Sequence, residues 1–179
     1  MSPSSPLSAD VRDLLHDRLD TLLAESETTM NNAAYGQAVH DLDDFLFVEG
    51  RKFLHEVYQQ KLQERINQTE ASAESHPCPQ CKKKTHYENK KPKSLITARG
   101  HVTIRRTARQ CPHCGHYFFP VDATIGTATR YTTVLMRLVA RCCGFWSYRL
   151  AAENLEEFCG TRLSHTTVGK GLLKNNSTE

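Results

Sequence analysis

Apolar residues recur at helical spacing in two blocks of the first third of the chain. The first block extends from Val11 to Leu23 and predicts a helix that is capped by Ser8 and ends near Glu25. The second block, from Val39 to Leu62, predicts a longer amphipathic helix. Residues 26–34 are polar and weakly patterned, which predicts a connection. We interpret both helices as scaffold or dimerisation elements.

In the middle of the chain the spacing changes from helical to alternating. Residues 94–98 and 101–107 alternate as strands do, and Arg99-Gly100 between them predicts a tight turn that joins them as a hairpin. A short third strand is expected over residues 116–119. The aromatic side chains there should pack against the hairpin. The alternative is that they stack on nucleobases. These side chains are Tyr117, Phe118 and Phe119.

Helical spacing returns in the last third of the chain and predicts three short helices separated by tight turns. The predicted capping residues are Thr132 or Thr133, Ser147 and Ser164, and the first two helices end at Gly144 and Gly160. Ala151 permits close approach of the last helix, in which Val168 supplies the contact. This order favours a helix-turn-helix that binds DNA, and the alternative is a helical hairpin that only completes a core.

Two Cys-Pro-x-Cys knuckles flank the predicted hairpin. They comprise residues 78–81 and 111–114, with 29 residues between them. Four thiolates in two close pairs suit a tetrahedral Zn²⁺ ion, so the pattern predicts a structural zinc ribbon whose ligands are Cys78, Cys81, Cys111 and Cys114. Redox dithiols or disulfides are the alternatives. A catalytic zinc ion is disfavoured because four sulfurs leave no open coordination position.

Other residues near the knuckles offer further ligands. A histidine could replace one sulfur, and the nearby candidates are His76, His86, His101, His113 and His116. We interpret these histidines as surface or supporting residues. Cys142, Cys143 and Cys159 lie on apolar helical faces and are expected to be buried thiols without a chemical role.

Composition favours a soluble, cytoplasmic protein. Of the 179 residues, 39% are hydrophobic, and the apolar runs are too short for a membrane span. Residues 1–6 are polar and lack the charged and apolar regions of a secretory signal. The seven cysteines are therefore expected to be reduced thiols.

The net charge of +3 is unevenly distributed along the chain. Residues 1–77 carry 6 basic and 14 acidic side chains, residues 78–114 carry 10 and 1, and residues 115–179 carry 7 and 5. With four thiolates and one divalent cation, the middle segment would keep a charge of about +7. This excess indicates a phosphate backbone as the partner.

Candidate DNA contacts lie in the ribbon and in the last helix. Lysine and arginine should contact phosphate, whereas threonine and histidine can bond base edges or phosphate oxygens. The ribbon candidates are Lys82, Lys83, Lys84, Lys90, Lys91, Lys93 and Arg105. The helical candidates are His165, Thr166, Thr167, Lys170 and Lys174.

The sequence therefore predicts an α+β protein with acidic N-terminal helices, a small β zinc ribbon and a C-terminal helix-turn-helix. The expected domains are residues 1–70, 76–122 and 130–176. A homodimer that forms through the N-terminal helices is one expected assembly.

The two knuckles occur in a fixed order with three further motifs. These motifs are residues 97–102 (TARGHV) and 117–122 (YFFPVD), and the tail residues 147–155 (SYRLAAENL) with 163–168 (LSHTTV). Together they resemble the N-terminal region of bacterial and cyanobacterial insertion-sequence transposases of the ISKra-like DDE group, over about residues 36–175. The resemblance implies a zinc ribbon followed by a DNA-binding helix-turn-helix.

Members of that family continue into an RNase H-like domain whose carboxylates hold two metal ions for strand cleavage. This chain stops at Glu179, and Asp122 is interpreted as structural, so we expect a truncated, non-enzymatic fragment that binds double-stranded transposon ends. Two alternatives remain. One is a standalone zinc-ribbon interaction protein, and the other is a small transcriptional regulator that binds its own promoter as a dimer.

Overall fold

The computed structural model describes residues 9–71, 76–126 and 129–169. It is an α+β protein with several helices and a three-stranded antiparallel sheet. The chain divides into two compact units, Met1–Glu64 and Arg65–Glu179, hereafter the N-terminal and C-terminal units. No helix within the described ranges combines the length and the apolar character needed to span a bilayer.

The first helix of the N-terminal unit is longer than predicted. Helix α1 comprises Ala9–Asn32, so the expected end near Glu25 is wrong, and the predicted cap Ser8 lies outside the described residues. Residues 26–32 lack an apolar pattern, but the hydroxyl groups of Ser26, Thr28 and Thr29 donate to main-chain carbonyl oxygens three or four residues earlier. These bonds satisfy the polar side chains within the helix but do not themselves stabilise it.

The second predicted helix is divided by a π-helical turn. Helix α2 is Ala38–Phe45, the π-helical turn is Leu46–Gly50, and helix α3 is Arg51–Ala71, whose residues from Arg65 onward belong to the C-terminal unit. A π-turn inserts one extra residue into a helix, which the spacing of apolar positions does not reveal.

The sheet has the predicted hairpin and the predicted third strand. Strand β1 is His86–Thr97, β2 is Gly100–Gln110 and β3 is Tyr117–Phe118, in the order β1-β2-β3. The turn consists of Ala98 and Arg99, and Gly100 follows with a φ of 103°. Strand β1 begins earlier than expected because main-chain pairing with β2 continues through its exposed, lysine-rich half.

A short helix, α4 (Pro120–Thr124), packs beside β2 and carries a buried ion network. Asp122 accepts from Arg106 Nε at 2.6 Å and from Lys93 Nζ at 3.0 Å. The Arg106 guanidinium also lies 3.5 Å from the centroid of the Phe119 ring. Lys93 is a predicted DNA contact, but its side chain is only 15% exposed and pairs with Asp122. Asp122, which the sequence suggested is structural, lies in this helix, which Pro120 starts.

The capping residues of the C-terminal helices are as predicted. Helix α5 (Thr133–Phe145) is capped by Thr132, whose hydroxyl accepts from the N–H of Leu135. Helix α6 (Tyr148–Cys159) is capped in the same way by Ser147 and ends at Gly160, which has a φ of 65°. A further helical turn spans residues 165–169, where Ser164 Oγ accepts from the N–H of Thr167 at 3.2 Å.

The hairpin and the C-terminal helices share one hydrophobic core. Ile96 of β1 packs with Leu135, Ala151, Leu155 and Val168, all of which are buried. The main chain of Ile96 also donates to Arg130 O at 2.8 Å and accepts from the N–H of Thr132 at 3.1 Å. The C-terminal unit is consequently a single packed body in which the hairpin and the helices hold fixed positions.

Candidate metal centre

The two Cys-Pro-x-Cys knuckles have the same backbone hydrogen bonds. Cys78 donates its N–H to Lys83 O, and Cys111 donates its N–H to His116 O, both at 2.9 Å. Each knuckle is closed by a second bond of 2.9 Å, from the N–H of Lys82 to Cys78 O and from the N–H of Gly115 to Cys111 O. Each turn thus directs two sulfurs toward the same point.

The four sulfurs lie close together without forming disulfides. Their Sγ atoms all lie within 4.8 Å of one another. The separation is 3.6 Å between Cys78 and Cys114 and 3.4 Å between Cys81 and Cys111, whereas a disulfide bond is about 2.05 Å long. A tetrahedron with metal–sulfur bonds of about 2.3 Å has edges of about 3.8 Å. The donor set therefore fits one tetrahedral metal ion.

The environment favours negative charge on two of the sulfurs. Burial raises the pKa of Cys111, but the N–H groups of Cys114 and His113 and the neighbouring thiols outweigh it and lower the pKa to about 6. Burial likewise raises the pKa of Cys78, but the N–H groups of Cys81 and Gln80 and the nearby thiols have the larger effect. The pKa of Cys78 is therefore lowered. Cys78 and Cys111 are both fully buried, so these N–H groups stabilise charge where water cannot.

The pKa of Cys114 is raised instead of lowered. The N–H of His116 lowers its pKa, but burial and the thiols of Cys78, Cys111 and Cys81 together raise it to about 12. Protons are therefore shared unevenly among the four sulfurs. A divalent cation would replace these protons and neutralise the thiolates, which is how metal binding stabilises such a site.

The histidines near the knuckles make other contacts. In the described residues the candidate cluster consists of the four cysteines alone. His113 Nδ1 lies 3.4 Å from Lys83 Nζ, His116 stacks on Phe118 with ring centroids 5.6 Å apart, and the His76 carbonyl accepts from Thr85 Oγ1 at 2.6 Å.

The predicted DNA-binding lysines of the ribbon fall into two groups. Lys82, Lys83, Lys84 and Lys91 are exposed, as is Arg105. Lys90 is exposed too, but its Nζ lies 3.5 Å from a carboxylate oxygen of Glu70 and donates to Asn67 at 3.3 Å. Lys93 belongs to the ion network of Asp122. The knuckle lysines and the middle of the hairpin thus form an exposed basic surface.

The helical candidates lie apart from the metal centre. His165 and Thr166 are exposed, whereas Thr167 is half-buried with its hydroxyl 2.8 Å from Ser164 Oγ. Lys170 and Lys174 lie outside the described residues. The thiols of Cys142, Cys143 and Cys159 pack against the helical core, and burial raises the pKa of the first two.

Two contacts that position these surfaces were not expected from the sequence. Thr161 is fully buried and donates its hydroxyl to Thr97 O at 2.7 Å. His101 Nε2 lies 3.2 Å from Arg162 O. Both contacts join residues more than 60 positions apart, and no local pattern indicates such pairing.

The chain matches no protein-family model, and no curated protein has a significantly similar sequence.

Proposed function

We propose that this chain binds DNA in a zinc-dependent manner, through a region related to the front end of an insertion-sequence transposase. The observation that carries the proposal is the four-sulfur cluster, whose first knuckle leads directly into the exposed cations Lys82–Lys84. A metal-stabilised hairpin that presents positive charge suits the phosphate backbone of duplex DNA.

The metal in this proposal is Zn²⁺ in a structural role. Four thiolates at tetrahedral spacing suit zinc, and iron is the other common occupant of an S₄ site. Cys78, Cys81, Cys111 and Cys114 would hold the ion. It would supply fixed geometry and charge neutralisation to a hairpin end that buries little apolar surface of its own.

Two sets of side chains would contact DNA. The ribbon set would contact phosphate groups and consists of Lys82–Lys84, Lys90, Lys91 and Arg105. The second set is the start of the last helix, where His165 and Thr166 would reach base edges in a helix-turn-helix geometry. Burial of Ala151 and Val168 in one core supports that geometry. Lys93 is left out because Asp122 binds it.

Binding, not strand cleavage, is the proposed activity, and transposon ends in the bacterial cytoplasm are the proposed target. In vitro selection with the zinc-loaded chain should recover duplexes with a shared sequence whose binding survives excess random duplex. Recovery of no shared sequence would contradict the proposal and favour an interaction protein. Recovery of the promoter of the chain's own gene, by a defined dimer, would indicate a transcriptional regulator. Cleavage of selected duplexes in Mg²⁺ would overturn the non-catalytic assignment.

Self-association is a second part of the proposal, and the surface of the N-terminal unit supports it. Among residues 9–64 Leu15 is the only buried hydrophobic residue, whereas large apolar side chains such as Leu23, Val39 and Phe47 are exposed. A second copy would cover part of this apolar surface. Light scattering should give twice the chain mass, and Leu23→Gln should shift the mass toward the monomer. The control Leu150→Gln, an exposed leucine of the C-terminal unit, should leave the mass unchanged.

A further inference from the structure

The helices of the C-terminal unit pack against one face of the hairpin. Ile96 and His101 are paired across β1 and β2, so their side chains lie on the same face of the sheet. Ile96 is buried in the helical core. The helices therefore cover the turn end of this face, next to His101.

Hydrogen bonds fix this junction. Thr161, in the connection after α6, donates to Thr97 O at 2.7 Å, and Thr97 Oγ1 in turn donates to Gly100 O at 3.0 Å. Nε2 of His101 lies 3.2 Å from the carbonyl oxygen of Arg162. The buried pair of threonines holds the hairpin turn against the segment that leads to the last helical turn.

Beyond His101 the same face is open to solvent. Thr103 and Arg105 follow at alternate positions of β2, and their cross-strand partners Ser94 and Pro92 are exposed as well. At about 3.4 Å per residue, Arg105 lies about 14 Å along the strand from His101. Farther on, Thr107 is buried, and a carboxylate oxygen of Glu70 accepts its N–H. The open stretch thus has two defined ends.

The exposed side chains of the last helical turn belong to the same rigid body. His165 is three residues from Arg162, a reach of at most about 10 Å, while Val168 is anchored in the core. Two of the three carboxylates of α6 are paired with arginines, Glu153 with Arg149 and Glu156 with Arg162.

We infer, on the basis of the proposed function, that Arg105 and the turn at residues 165–166 contact one continuous duplex at a fixed offset. The partner is double-stranded DNA, because the exposed ends of this surface are basic or neutral and the ribbon carries a large excess of positive charge. The path from Arg105 to residues 165–166 comprises about 14 Å of strand, the contact between His101 and Arg162 and about 10 Å of chain, so both contacts should fall within about one helical turn of duplex. The hairpin then holds the phosphate backbone while the helical turn reaches bases in the adjacent groove.

Hydroxyl-radical footprinting on several selected duplexes tests this arrangement, with Arg105→Ala, Thr166→Ala and the control Arg12→Ala, an exposed arginine of α1. Arg105→Ala should remove protection from one backbone patch, always at the same offset, within about one helical turn, from the position affected by Thr166→Ala. Arg12→Ala should change nothing. Unchanged zinc content and unfolding midpoints would establish that the variants fold.

The outcomes separate this inference from the proposed function. A wild-type footprint that Arg105→Ala leaves unchanged, or an offset that varies between duplexes, would overturn the fixed arrangement alone. The absence of any wild-type footprint on DNA would overturn the proposed function, and the inference with it.

Discussion

Lys82 and Gly115 occupy equivalent positions, each directly after the second cysteine of its knuckle. Their φ angles are 61° and 70°, and each donates its N–H to the carbonyl oxygen of the first cysteine at 2.9 Å. The left-handed conformation costs a residue with a side chain about 1 kcal/mol, and glycine avoids that cost. Lys82 is the only non-glycine residue with positive φ in the described ranges. The first knuckle is thus the strained one.

Substitution of Gly115 by alanine should lower the free energy of unfolding of the zinc-loaded protein by about 1 kcal/mol. A Cβ atom at this position would meet nothing within 4 Å, so the loss would come from the backbone alone. Lys82→Gly should change the stability by less than about 0.5 kcal/mol, since relief of strain offsets the greater flexibility of the unfolded chain. Denaturant titrations measure both values. Equal losses in the two variants would contradict the strained conformation assigned to Lys82.

Replacement of one sulfur should reduce metal binding sharply. Cys78→Ser removes a buried thiolate from the tetrahedral set, so zinc affinity should fall at least about tenfold and the knuckle end of the sheet should lose order. Zinc content after dialysis and amide hydrogen exchange measure these effects. Cys142→Ser is the matched control and should retain zinc, because Cys142 packs against the helical core. Unchanged zinc content in Cys78→Ser would refute the ligand assignment.

The charge of the knuckle lysines should appear as a salt dependence. Substitution of Lys82, Lys83 and Lys84 by glutamine removes three phosphate contacts, so the slope of log affinity against log salt should flatten by about 2.7. Anisotropy titrations of a labelled random duplex at several salt concentrations give this slope. A control with equal loss of charge, in which Arg12, Lys52 and Lys61 become glutamine, should leave it unchanged. Equal slopes in both triple variants would contradict the assigned contacts.

Asp122 should be important for stability. Asp122→Asn leaves Arg106 and Lys93 with little compensation in a site where their side chains are 8% and 15% exposed. Loss of one partner from such a network should lower the free energy of unfolding by about 3 kcal/mol. Glu153→Gln disrupts the exposed pair with Arg149 and should cost less than about 0.5 kcal/mol. Thermal unfolding distinguishes the two, and a comparable small cost for Asp122→Asn would contradict the assigned role of the network.

Local signals in the sequence predicted much of the fold. The caps Thr132, Ser147 and Ser164 and the terminating Gly160 act through neighbours three or four residues away, so the sequence around them suffices. The hairpin turn and the knuckles are local in the same sense. The spacing of the cysteines predicted the four-sulfur cluster because each pair is fixed by its own turn.

Features that depend on distant partners were not predictable in this way. Lys93 has the composition of a surface cation, and only the packing of α4 brings Asp122 to it. Ile96 alternates like any strand residue, but its neighbours in the core come from helices about 40 to 70 positions later. The length of α1 was missed because residues 26–32 lack the apolar spacing from which the helix was predicted, whereas the main-chain bonds of a helix do not require such spacing.

The dependence of DNA binding on the metal tests the central claim most directly. Affinity for a duplex recovered by selection should be measured before chelation, after chelation, and after zinc is restored. We predict that binding falls at least about tenfold on chelation and recovers with Zn²⁺ but not with Mg²⁺, because the four sulfurs fold the knuckles that present Lys82–Lys84. Equal affinity of the zinc-loaded and metal-free protein for the duplex would contradict this account.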